Sequence, residues 1–128
     1  MRVLLDTHTF IWWDGDSTKL SARALAICSD PQNALLLSVV SVWEMVIKLQ
    51  LDKLTLSMPL ADIIANQQKQ NRIDVLPVTL DHVLAVEQLP AHHKDPFDRP
   101  LIAQATVEGA TLLSGDPVFA AYSVSTVW

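Results

Sequence analysis

A chain of 128 residues, half of them hydrophobic and only three of them glycine, has material for one compact core and not for two. Its formal net charge of -5 excludes a protein that holds nucleic acid by a broad basic face, because such binding rests on many Lys and Arg side chains neutralising phosphates. The one cysteine, Cys28, excludes an internal disulfide, fits a reducing cytoplasm, and reads as a small core hydrophobe.

The first predicted element is the strand "RVLL" at 2–5. The segment "MRVLLDTHTFIWW" has the basic residue and apolar content of a signal peptide, but Asp6 and His8 interrupt it and no small-residue cleavage site follows, so it reads as mature protein. A helix over 20–29 precedes the strand "ALLL" at 34–37. Over 39–51, Val39, Val42, Trp43, Val46, Ile47 and Leu51 follow the i, i+3, i+4, i+7 rule, which predicts a helix with that stripe on the sheet and Trp43 in the core. The same region, "ALLLSVVSVWEMVI", is broken by serines and Glu44 well short of the ~18 uninterrupted apolar residues of a membrane span, so the expectation is a soluble protein with no membrane partner.

Helices then fit 60–70 and 80–88 around the strand "IDVLPV" at 73–78. The stretch "PAHHKDPFD" at 90–98, with two prolines and five charged or His residues, is a loop joining helix to helix. A helix at 99–108, the strand "ATLL" at 110–113, a helix at 117–121 and the strand "SVSTV" at 123–127 complete a single domain, 1–128. Strands alternating with helices favour a parallel sheet covered by helices. With Asp98 as N-cap, Arg99 and Pro100 take the first two helical positions, where a missing N–H removes no intrahelical bond.

Four acids fall near one edge of such a sheet. Asp6 ends the first strand, Glu44 lies early on the helix after "ALLL", and Asp116 lies just past "ATLL" in "SGDPVF". In an open α/β sheet the carboxyl ends of the strands form the ligand-binding edge, and chain direction puts these three there. Asp98 follows a helix, so the pattern places it less directly. Clustered carboxylates repel, and a cation compensates them economically; oxygen donors without a Cys or His set favour Mg2+ or Mn2+ over zinc. Each acid also has a structural explanation. Ser41 and Glu44 read as a capping box, Glu44 and Lys48 as an i, i+4 ion pair, Asp98 as an N-cap and Asp116 as the opener of a short helix. Asp6, running straight out of a strand into Thr7 and His8, is the hardest to explain by capping.

The stretches "VLLDTHTFIWW", "SVVSVWEMVIK", "HHKDPFDRPLIAQA" and "LLSGDPVFAAY", in this order along nearly the whole chain, resemble the PIN-domain family, in particular the VapC-type toxins of bacterial toxin–antitoxin pairs. The resemblance implies a three-layer α/β/α sandwich with a five-stranded parallel sheet, usually a homodimer, and a metal-dependent ribonuclease held inactive by a cognate antitoxin. It carries the acidic set onto Asp6, Glu44, Asp98 and Asp116, as catalytic and metal-binding residues. Asp95 goes to a supporting role, Pro100 stands where many relatives carry an aliphatic residue, and Ser114 keeps the hydroxyl of a common Thr.

Around that set, Thr7 is a candidate to bond Asp6 or a metal-bound water, and Arg99 either grips a phosphate or pairs with a carboxylate. His92 and His93 are candidates for phosphate contact or proton transfer, against simple solvation. Trp12 and Trp13 belong to the core or a partner surface, with base stacking as the alternative. The leading expectation is an Mg2+-dependent endoribonuclease toxin, cytoplasmic, with RNA as substrate. Setting its four acids aside leaves 10 acids against nine bases, so the remaining surface is nearly neutral. The alternatives are a non-catalytic PIN-like module in an antitoxin and DNA complex, and a metal-dependent phosphatase-like α/β domain; no D-x-D pair follows the first strand to favour the latter.

Overall fold

The computed structural model describes residues 1–92 and 94–128, so the reading of His93 lies outside the described residues. Five strands, β1 (Arg2–Leu5), β2 (Ala34–Ser38), β3 (Asp74–Leu76), β4 (Thr111–Leu113) and β5 (Thr126–Val127), pair in the order β3-β2-β1-β4-β5, all parallel. Among the described residues six helices cover them: α1 (Thr7–Gly15), α2 (Ala22–Ser29), α3 (Val39–Gln50), α4 (Leu60–Asn71), α5 (Leu80–Val86) and α6 (Asp98–Glu108). The three-layer α/β/α sandwich with five parallel strands is as the sequence leads one to expect.

The period-2 alternation of the strands divides the core in two. Val3, Leu5, Leu35, Leu37 and Leu113 point to one face, under Phe10, Ala24, Cys28, Met45 and Ile63. Leu4, Leu36 and Leu112 point to the other, under Leu101, Ile102, Ala105 and Phe119. Each such leucine contributes about 1.5–3 kcal/mol by leaving water, and a sheet buried on both faces explains why its strands read as continuous apolar runs. Cys28 is buried in the first core, where burial pushes its thiol up to about 11, the behaviour of a packing residue.

The helices correct several expectations. α1 has no counterpart in the predicted elements, because Phe10, Ile11, Trp12 and Trp13 are contiguous and show no 3.6 period; its start is fixed by Asp6, whose carboxylate accepts the N–H of Thr9 at 2.7 Å. So Asp6 is an N-cap after all. α3 begins directly after β2 with Ser38 as its cap, which leaves Ser41 inside the helix and rules out the Ser41–Glu44 capping box. Its buried residues are Val40, Ser41, Glu44 and Met45. At about 100° per residue the predicted stripe lies roughly 145° away from that face, and Trp43 is 64% exposed instead of being core. The polar contacts of Ser41 and Glu44 with Thr7, described below, win over the apolar stripe.

α6 starts one residue earlier than predicted. Asp95 Oδ1 accepts the N–H of both Phe97 and Asp98 at 2.8 Å, so Asp95 does the capping assigned to Asp98, and Pro100 is third in the helix, still within the first turn. The helix ends at Gly109, whose φ of 62° is the left-handed turn that lets the Ala110 N–H return to Ala105 and feed β4. The last strand shortens to two residues, although Ser125 already accepts the N–H of Leu112. Residues 117–121 form a 3-10 turn capped by Asp116.

Candidate metal and nucleic-acid site

β1 lies between β2 and β4, and the chain turns outward from it in both directions, so the carboxyl end of β1 is the topological switch point of the sheet. Asp6 follows β1 there, Ser38 and α3 follow β2, and Ser114, Gly115 and Asp116 follow β4. α6 runs against β4: Glu108 at its C-terminus bonds Arg2 at the start of β1, which puts its N-terminus, with Asp98, at the opposite, carboxyl edge. Helix direction thus supplies for Asp98 the placement that the order of elements left weak.

The acids are tied down individually. Asp6 is 6% exposed; besides capping α1, its Oδ2 accepts the hydroxyl of Ser114, and the same Ser114 Oγ accepts the N–H of Asp116 at 3.1 Å. One hydroxyl therefore joins the two loops that carry Asp6 and Asp116. Glu44 is 8% exposed and splits its carboxylate: Oε1 accepts the Thr7 hydroxyl at 2.7 Å, and Oε2 faces Lys48 Nζ at 2.7 Å. Ser41 Oγ lies 3.0 Å from the same Thr7 oxygen. Asp116 is exposed, with Oδ1 on the N–H of Val118. Thr7 and Ser114 thus hold Glu44 and Asp6, whereas Asp95 serves the backbone of α6.

Arg99 has a different task from those expected. Its guanidinium donates to the carbonyl of Pro90 at 2.7 Å and approaches those of Val86 and Leu89 and the Tyr122 hydroxyl, so it closes the end of α5 and its following turn. His92 stacks edge-on against Tyr122, with ring centroids 5.0 Å apart.

The four carboxylates are not gathered into a ligand cage: among the described residues, no three His, Cys, Asp or Glu side chains form a group that could hold a metal ion. What the structure does bring together is Asp6 and Asp116, which line one cavity of about 450 Å3 with His8, Trp12, Lys19, Gly115 and Trp128. Two carboxylates on an open cavity suit Mg2+ or Mn2+, since Mg2+ keeps several waters and is typically held by one or two carboxylates plus substrate phosphate. With the carboxylates as donors the set is oxygen, and no Cys or His group of metal-binding spacing stands beside them among the described residues to favour zinc. Sequence spacing does not mark His8, Lys19, Gly115 and Trp128, because the cavity draws on α1, the 3-10 turn Ser17–Lys19, the turn that follows β4 and the residue that follows β5.

A family model for the PIN domain matches residues 3–124. The chain belongs to the PIN-domain family. No curated protein matches this PIN domain in sequence. Among solved structures it is similar to VapBC2 from Rickettsia felis bound to a promoter DNA fragment (TM-score 0.75, 13% identity, covering 100% of this chain and 99% of that one). It is also similar to DNA-bound VapBC from Salmonella typhimurium (0.70, 15%, 99% and 97%) and to FitAcB from Neisseria gonorrhoeae (0.68, 18%, 98% and 96%). At these identities the likeness is one of fold.

Proposed function

We propose that this PIN domain is a divalent-metal-dependent endoribonuclease and the toxin of a toxin–antitoxin pair, working in the cytoplasm. The observation that carries the reading is the Ser114 hydroxyl bridging Asp6 to the Asp116 backbone, with both carboxylates on one cavity at the switch point of the sheet. Asp6 and Asp116 would hold Mg2+ or Mn2+, with Glu44 from the middle of α3 and Asp98 from the start of α6 acting through water. When bound, such an ion neutralises phosphate charge and lowers the pKa of water, the needs of phosphodiester hydrolysis.

The chain's own residues supply orientation. Ser114 and the Thr9 N–H hold the Asp6 carboxylate from both oxygens, and Thr7 with Lys48 holds both oxygens of Glu44. A small phosphatase substrate would not need the aromatic wall beside the acids, so RNA is favoured over the phosphatase alternative.

The partner reading rests on an exposed apolar face. Val39, Trp43 and Val83 are each more than a third exposed on α3 and α5, around a groove of about 510 Å3 that also includes Val78 and Val86. Contiguous apolar surface of this kind marks protein contacts, here a second copy of the chain in a homodimer. The cognate antitoxin would block the site itself, with an Arg side chain occupying the place of the ion between carboxylates. A structure whose fold is similar is of a toxin–antitoxin complex from Klebsiella pneumoniae, which suits that expectation.

The test is incubation of purified protein with RNA and Mg2+, with and without EDTA, beside a chromogenic phosphate monoester. Chelator-sensitive RNA cleavage with the ester untouched is the expected result; cleavage indifferent to EDTA, or of the ester alone, sinks the reading.

A further inference from the structure

The cavity that holds Asp6 and Asp116 has a second, aromatic half that metal binding does not use. Trp12 and Trp128 meet edge to face, with ring centroids 6.1 Å apart and planes at 61°, and the ring centroid of His8 lies 5.8 Å from that of Trp12. Both indoles are half-buried and packed against the core that includes Val3, Leu5 and Phe10. Gly115 completes the corner: a Cβ there would lie 2.7 Å from Trp128 Cε2, so only glycine lets Trp128 close over the loop that carries Asp116. Lys19, exposed on the 3-10 turn, adds one cation at the rim.

We infer that this corner of Trp12, Trp128 and His8 is a nucleobase-binding subsite, which takes an unstacked base of single-stranded RNA next to the phosphate held at the carboxylates. The inference rests on the nuclease reading above and names how that site receives its substrate. A base has an extended π face and little charge, and two indoles at an angle offer it one ring to stack on and another ring's edge to abut. The volume suits one base and not a duplex, whose bases are stacked and paired. A net charge of -5 leaves little general attraction for RNA, so stacking supplies affinity that Lys and Arg do not. Because Asp6 and Asp116 border the same cavity, an occupant of the corner sits within a nucleotide of the reacting phosphate. That adjacency favours a base over a side chain of a protein partner.

The experiment compares the native protein with Trp12→Leu, Trp12→Phe and Trp128→Leu in three measurements. Indole fluorescence is titrated with free nucleosides in EDTA, kcat and KM are measured on a single-stranded oligoribonucleotide and on its duplex with Mg2+, and melting is followed with and without Mg2+. Saturable quenching by nucleosides is expected in the native protein, and the duplex should be a far poorer substrate. Trp12→Leu and Trp128→Leu should raise KM by roughly 5- to 150-fold, the loss of one stacked base, with kcat moving much less. Trp12→Phe should restore most of the loss, and all variants should keep the Mg2+-dependent rise in melting temperature that reports the carboxylates. An unchanged KM in both leucine variants, or no quenching by any nucleoside, overturns the subsite. So does a result in which Trp12→Leu weakens only binding of the antitoxin, since the corner then belongs to a protein partner. Native protein that is quenched by nucleosides yet cleaves no RNA sinks the nuclease reading and leaves the base pocket standing.

Discussion

Thr7 donates its hydroxyl to Glu44 at 2.7 Å, a bond that ties the first residue of α1 to the middle of α3 across the carboxyl ends of β1 and β2. Both side chains are buried, so the bond has no water to replace it. Thr7→Val keeps the shape and removes the donor, leaving one oxygen of a buried carboxylate short of a partner, at about 1–3 kcal/mol. For a domain of this size the melting temperature should fall by roughly 3–15 °C. Thr7→Ser should recover most of it. In a double-mutant cycle, Thr7→Val should cost far less in a Glu44→Leu background, which offers the hydroxyl no carboxylate; equal costs in both backgrounds would show that the two side chains are not coupled.

The same pair marks what the sequence could and could not convey. The five strands were readable because a doubly buried sheet writes itself as short apolar runs, and the loop 90–98 was readable from its prolines and charges. α1 was not, since its apolar residues are contiguous. Periodicity does not find the buried face of α3, because it measures where the apolar residues lie, and here the buried face includes Ser41 and Glu44, whose shared partner Thr7 is invisible to a hydropathy pattern. Asp6, Glu44 and Asp116 could be placed by strand direction alone. Trp128 and Lys19 join the site from distant segments, and no spacing rule connects them.

A second consequence of the fold lies at the amino edge. Glu108 accepts a hydrogen bond from the buried His82 ring at 2.7 Å, and this bond first, with Arg2 second, holds its carboxyl below the usual carboxylate range. His82 Nδ1 accepts the N–H of Thr79, so Nε2 carries the proton given to Glu108. A carboxyl depressed in the folded state contributes stability that is complete above its unfolded pKa, about 4.3, and lost as pH falls through the folded value. The urea midpoint of the native protein should therefore fall on acidification below that point. Glu108→Gln should be less stable near neutrality and flatter in this acid range; parallel pH profiles for the two would exclude the linkage.

Trp43 is exposed at 64% and touches Phe97 edge to face, 6.1 Å between ring centroids. As a core residue it would cost about 3–5 kcal/mol to truncate. On the surface it should cost the monomer little, within about 0.5–1 kcal/mol. Trp43→Arg places a charge in the middle of the proposed dimer face, so it should lower the apparent mass in light scattering from dimer to monomer while the far-UV spectrum is unchanged. A variant that stays dimeric removes this face from the interface, and one that unfolds contradicts the exposed position.

Asp6→Asn separates the two duties of Asp6. Asparagine caps helices about as well as aspartate, so the Thr9 N–H keeps its acceptor and α1 keeps its start. The amide loses the charge and turns a donor toward Ser114, whose hydroxyl must then give up its bond to Oδ2 while still accepting from Asp116. Folding should thus survive with a loss on the order of 1 kcal/mol. The metal response should not. An ion that binds only the folded state stabilises by RT ln(1 + [L]/Kd), about 2.7 kcal/mol at a hundredfold excess over Kd. For the native protein that is a rise in melting temperature on the order of 5–15 °C on adding Mg2+. The variant should show little of that rise and cleave no RNA. Thr9→Ala serves as the contrast, because it removes the hydroxyl bond to the Leu113 carbonyl and leaves the N–H that Asp6 caps, so it should lower stability and keep the Mg2+ response. If Asp6→Asn retains the full Mg2+-dependent rise, Asp6 is a helix cap alone and the ion is held elsewhere.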